Sequence, residues 1–237
     1  MTDSKTEVEL PSPETIKSLK ALITEQEKSL LNTGFVIHDD ALQLLTIFRL
    51  KIVGLIENLE LDGQKQLVLK EAMEIYREIY DNLTLKANHL YPPTVKFAGL
   101  STSFLSICRN VMKEFSIGIE ITDSLPIGVP LFTLDDSYRI YYLFKDVLTL
   151  MISNSNSLGF KANFSIIGRI FFIDLKASPD QNQLNTSHKN DSYVNLLSVI
   201  RGRLLCINGF VGADTDWKKT IKIGIPISDS KNLLERH

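Results

Sequence analysis

Residues 35–45, Phe-Val-Ile-His-Asp-Asp-Ala-Leu-Gln-Leu-Leu, set an imidazole, a carboxylate and an amide into an otherwise apolar helical stretch. His38 is followed directly by Asp39, and Gln43 comes four residues after that Asp. Side chains four apart share a helix face, so Asp39 and Gln43 are expected to point the same way. His38 then stands about 100° round the helix, beside the apolar row Leu30, Ile37 and Leu44. Imidazole is a nucleophile near neutral pH, and an adjacent carboxylate orients its ring or accepts its proton. The blander alternative makes His38 a polar flank of a helix seam and Asp39 with Gln43 a solvated face.

The elements that must position these residues follow from periodicity. Residues 1–13 are polar and close with Pro11-Ser12-Pro13, a flexible lead-in before a helix start. From about 14 to 60 the apolar positions, among them Ile16, Leu19, Ile23 and Leu30, recur at helical spacing, which predicts one long helix or two sharing an axis. Gly34 interrupts that pattern at a cost of about 1 kcal/mol relative to Ala, a local weak point just upstream of His38. Leu61-Asp62-Gly63 reads as a turn, and residues 64–89 resume the helix until Pro92-Pro93 stops it. The result is an antiparallel hairpin over 14–91 whose apolar stripes are too broad for one partner helix. Dimerising into a four-helix bundle would bury them.

A second segment changes the weight of the first. Leu90-Tyr91-Pro92-Pro93-Thr94-Val95-Lys96-Phe97-Ala98-Gly99-Leu100, taken with the His38-Asp39-x-x-x-Gln43 order, resembles the nitrate-sensor-like subfamily of bacterial histidine kinases. Their dimerisation helix carries Leu-His-Asp-x-x-x-Gln, and their second helix runs into Leu-x-Pro-Pro-x-Leu-x-x-x-Gly-Leu. Phe115–Ile121 followed by Leu125-Pro126 is similar to that family's link into its nucleotide-binding domain. The resemblance covers roughly residues 25–227, strongly in the first half and weakly in the second. It implies an α+β protein: the hairpin, then an α/β-sandwich domain over 92–228 like the histidine kinase ATP-binding domain, then a tail over 229–237. Periodicity supplies a helix near 99–115, a strand near 117–122, a helix near 135–156 and strands near 162–168 and 170–176, joined at Gly168-Arg169. A polar loop over 177–192, a helix near 192–201 and strands near 203–208 and 218–227 complete it.

Carried over residue by residue, the family's nucleotide chemistry fails. The Asn that would hold Mg²⁺ and phosphate falls on Leu150, and Asn154 and Asn156 lie about one turn too far on. The Asp-x-Gly-x-Gly that would read adenine is matched by Asp174 to Asp180 with no glycine. The second Gly-rich segment is Asn190 to Val194, and the late Gly-Thr pair is Lys219-Thr220. Buried phosphate charge needs compensating N–H groups and cations, so no nucleotide cofactor is expected. Asp146 and Asp174 read as surface or edge carboxylates.

Composition bounds the rest. Across 237 residues, 44% hydrophobic and 23% charged content is ordinary for a globular protein, and a net charge of −2 argues against a nucleic-acid surface. Cys108 and Cys206 sit in apolar helical and strand patterns with no partner at metal spacing, so both read as buried small hydrophobes and no metal site is expected. There is no signal-peptide pattern and no run near the roughly 20 apolar residues of a membrane span, so a cytoplasmic protein is expected. With His38 as phosphoacceptor, Mg²⁺ and an acidic cluster would come from a response-regulator receiver domain. In kinases of this kind the Gln of the motif helps place a water that hydrolyses the partner's phosphoaspartate, which implies a phosphatase role for Gln43 with Asp39. Two readings compete: a homodimeric phosphotransfer protein or pseudokinase, and a non-enzymatic scaffold or inhibitor of a kinase or regulator. An ATP-dependent autokinase stands third.

Overall fold

The computed structural model describes residues 13–56, 62–126, 129–155, 157–178 and 190–227. The lead-in over 1–13 up to its last residue, most of the polar loop over 177–192 and the tail over 229–237 lie outside the described residues. Two compact units emerge: residues 26–93 form one, and those up to Glu25 together with those from Thr94 onward form the other.

The first unit is helical. Helix α1 (Pro13–Val36), a π turn (Ile37–Ala41) and α2 (Leu42–Ile56) follow one another without a break, and α3 (Gly63–Leu90) returns. Asp62 caps α3 by accepting the Lys65 N–H at 2.9 Å, and the Lys65 ammonium beside it holds its carboxyl below the usual carboxylate range. Tyr76 of α3 donates its hydroxyl to Leu45 O at 2.9 Å and stacks on Phe48, with ring centroids 6.5 Å apart. The outer faces stay apolar: Leu44 is 67% exposed and Val68 61%, with Leu50, Leu55, Leu67, Ile75 and Leu85 exposed as well.

The second unit has helices packed on one face of a mixed five-stranded sheet, as expected. Helix α4 (Pro93–Phe115) leads to β1 (Gly118–Asp123), α5 (Leu134–Asn154), β2 (Gly159–Ile167), β3 (Ile170–Ala177), α6 (Asn190–Cys206), β4 (Phe210–Val211) and β5 (Thr220–Pro226). Strand order is β1-β2-β3-β5-β4, parallel between β1 and β2 and antiparallel elsewhere. Alternation along the strands buries Phe160, Ala162, Phe164, Phe171, Ile173 and Leu175 and turns Lys161 and Lys176 outward. Phe104 of α4 ties the layers together, its ring 4.8 Å from Phe144, 4.6 Å from Phe164 and 6.2 Å from Phe171, all fully buried. Gly168, at φ 62°, makes the β2–β3 turn between the paired Ile167 and Ile170.

The first turns of α1 belong to this unit. Lys20 Nζ donates to Asn208 Oδ1 at 3.1 Å, Thr24 Oγ1 accepts from Arg139 at 3.2 Å, and Ile23 occupies the space a Cβ on Gly202 would need.

Several expectations require correction. No strand covers 203–208: α6 continues to Cys206, with Ile200, Leu204 and Ile207 buried at helical spacing. It ends where Asn208 adopts φ 52° and Gly209 N–H bonds back to Leu204 O at 2.8 Å. The short apolar run Leu204–Ile207 suits either element on composition, and only its register with Ile200 marks it as helix. Cys206 is therefore the last residue of a helix, and it is half-buried. Cys108 is buried, as expected, and burial pushes its thiol up to about 12. The helix expected near 99–115 is present: Gly99 (φ 77°, ψ 177°) breaks α4 into a short first segment from Pro93 and a second that runs on to Phe115. Asp146 is no surface carboxylate, because it pairs with Arg203 and both side chains are largely buried.

Candidate functional site

His38 and Asp39 lie on the π turn, where the Leu42 N–H bonds to Ile37 O five residues back instead of four. Such turns insert one extra residue into a helix and are frequent at functional sites. His38 Nδ1 and Asp39 Oδ1 are 2.8 Å apart. An ionised carboxylate only accepts, so Nδ1 carries the hydrogen of this contact, and in the neutral ring Nε2 keeps its lone pair. The two side chains are 36% and 40% exposed. Gln43 is exposed on the first turn of α2, and among the described residues it hydrogen-bonds neither His38 nor Asp39.

The far wall of the site comes from the end of α3. Tyr91 closes that helix, its N–H donating to Ala87 O at 2.7 Å. Its ring lies 6.5 Å from the His38 ring at 64° and 5.7 Å from Phe35, edge to face at 89°. Gly34 is buried, and a Cβ there would sit 2.7 Å from the Cβ atoms of Leu90 and Tyr91 and from Tyr91 N. The glycine that propensity marks as a weak point is thus a steric requirement for the end of α3 to reach the helix beside His38. In the sequence Tyr91 stands only within the Leu90–Leu100 segment where the helix stops, and neither its place beside the imidazole nor the π turn shows in a 3.6-residue period.

The positions that the resemblance aligns with a nucleotide site are core, edge and helix residues. Leu150 and Met151 are buried in the core, and Asn154 Nδ2 donates to its own helix at Leu150 O, 2.7 Å away. Asp174 stands in a cross-strand row between Asn163 and Lys222, on the opposite side of β3 from the buried Ile173 and Leu175. Asn190 to Val194 form the first turn of α6.

No protein-family profile matches the sequence, and no curated protein matches it. Solved structures do. The chain is similar to the blue-light activated histidine kinase EL346 of Erythrobacter litoralis, at 12% identity and a TM-score of 0.46, over 94% of this chain and 63% of that one. It is similar to that protein's histidine kinase domain at 13% identity and a TM-score of 0.44, over 95% of this chain and all of that one. The histidine kinase AdeS of Acinetobacter baumannii matches at 14% identity and a TM-score of 0.41, over 78% of this chain and 95% of that one. Among the described residues, no helix is long and apolar enough to cross a membrane.

Proposed function

We propose that this chain is a histidine phosphotransfer protein of a phosphorelay, working as a homodimer on a response-regulator receiver domain and without ATP. The observation that carries the reading is the half-exposed His38–Asp39 pair, which in the neutral ring calls for hydrogen on Nδ1 and leaves Nε2 its lone pair. In the forward step Nε2 attacks the phosphorus of the receiver's phosphoaspartate in line. An N–P bond forms, the P–O bond to the aspartate breaks, and the carboxylate leaves with the electron pair. The ring keeps its Nδ1 hydrogen and gains positive charge, which the Asp39 carboxylate stabilises. Mg²⁺ on the receiver offsets the phosphoryl charge. The reverse step returns the phosphoryl group to the aspartate.

Gln43, exposed one turn on, holds a water in line with the phosphoaspartate on the same docking surface. Dimerisation is supported by the exposed apolar side chains along α2 and α3, which a second copy would cover. A non-enzymatic scaffold is the second reading, favoured by the burial of Leu150 and by the self-bonded Asn154. The two separate on paired variants: His38→Ala abolishes phosphoryl label on this protein, whereas Gln43→Ala keeps transfer and slows loss of phosphate from the receiver. Equal behaviour of wild type, His38→Ala and Gln43→Ala toward every receiver of the same genome selects the scaffold.

A further inference from the structure

The π turn lies between two buried positions, Gly34 and Leu42, eight residues apart. In an uninterrupted α-helix eight residues turn about 80° past two full revolutions, so these positions would face different ways. The extra residue removes about 100° of that rotation and brings them to within about 20° of one line. Gly34 is then held against Leu90 and Tyr91 at one end of the turn. At the other, α2 is held to α3 by the Tyr76 hydroxyl on Leu45 O. Between these two attachments the backbone carries one residue more than α-helical packing needs, and His38 and Asp39 are on that slack. The Tyr91 ring, itself braced edge-on by Phe35, faces the imidazole.

We infer that Tyr91, with Gly34 and the additional residue of the π turn, is the positioning residue of this site: it backs the His38 ring so that Nδ1 meets Asp39 and Nε2 is presented outward. The inference rests on the phosphotransfer reading for its purpose, but the positioning itself has a readout that needs no phosphate. A neutral imidazole free in water favours hydrogen on Nε2, whereas this geometry requires it on Nδ1.

Asp40 is exposed, and deleting it leaves Gly34 and Leu42 seven residues apart, again about 20° from one line in a regular α-helix. The hairpin is retained while the slack is lost. Imidazole ¹⁵N resonances of His38 in the full-length protein are expected to report the Nδ1–H tautomer in wild type and Tyr91→Phe. They are expected to report the Nε2–H tautomer in the Asp40 deletion and in Tyr91→Leu, with helical content by circular dichroism unchanged. Phosphate exchange on His38 falls at least tenfold in those two variants and is preserved in Tyr91→Phe. An Nε2–H tautomer in wild type overturns the inference, as does an unchanged Nδ1–H signature in both the deletion and Tyr91→Leu. Tautomers that respond as stated in a protein no receiver phosphorylates uphold the positioning and remove the phosphotransfer reading.

Discussion

The hairpin of residues 26–93 and the sheet unit divide the molecule's properties between them. The sheet unit buries its apolar side chains within one chain, around Phe104, Phe144, Phe164 and Phe171, with Leu150 in the same core and Asn154 bonded to its own helix. The hairpin leaves Leu44, Leu50, Val68 and Ile75 in the open, yet keeps a paired imidazole and carboxylate. The large aromatic core lies in the sheet unit, and the exposed apolar helix faces lie in the unit that carries His38 and Asp39.

Substitutions sharpen that contrast to different degrees. Phe104→Ala removes a fully buried ring that touches three others, and is expected to cost about 3–5 kcal/mol of unfolding free energy. Denaturant titration followed by fluorescence of Trp217 measures it, and a loss below about 1 kcal/mol would break the assignment of stability to the sheet unit. Val68→Asp with Ile75→Asp acts in the opposite sense. Both side chains are exposed in one chain, so helical content should stay constant while light scattering at micromolar concentration shifts from the dimer to the mass of one chain. A wild-type mass of 26.8 kDa would remove the dimer altogether.

Gly34→Ala sets two terms against each other. Helix propensity gains about 1 kcal/mol, but the new methyl meets backbone and Cβ atoms at 2.7 Å, and overpacking of that kind costs about 1–3 kcal/mol. The steric term wins, so the variant unfolds more easily than wild type. Higher stability would mean that the end of α3 does not approach this turn.

The smallest effect belongs to Lys145 in the sheet unit. Burial, then the nearby Arg203 charge, pull its ammonium below the usual lysine range, with Glu114 opposing them. The folded state therefore binds this proton less readily than the unfolded state, and the wild type gains stability as pH rises from the lowered value toward the ordinary one. Lys145→Met should raise the denaturation midpoint at pH 7, and its advantage should shrink in alkali. An advantage that grows with pH contradicts the assignment.

Much of the architecture was legible in the residues. Long 3.6-residue periods fixed the helices on either side of Asp62-Gly63, and Gly168-Arg169 fixed the β2–β3 hairpin, because each signal is local and repeats. What failed to show had non-local causes. The run Leu204–Ile207 is helical because α6 continues through it from Ile200, not from its own composition. At the site, His38, Asp39 and Gln43 were visible by type and order, but an α-helical wheel has no place for an extra residue. The π turn forms where Gly34 and Leu42 are both buried, and Tyr91 meets the imidazole only because Gly34 admits it. Propensity at Gly34 recorded the cost of the glycine and not its use.

The central claim is that His38 takes a phosphoryl group directly from a receiver domain with no nucleotide present. The most direct test incubates purified wild type, without ATP, with each receiver domain of the same genome charged with ³²P on its aspartate. The account predicts acid-labile, alkali-stable label on wild type from at least one receiver and none on His38→Ala. Label that persists on His38→Ala, or label that appears only when ATP is supplied, contradicts it.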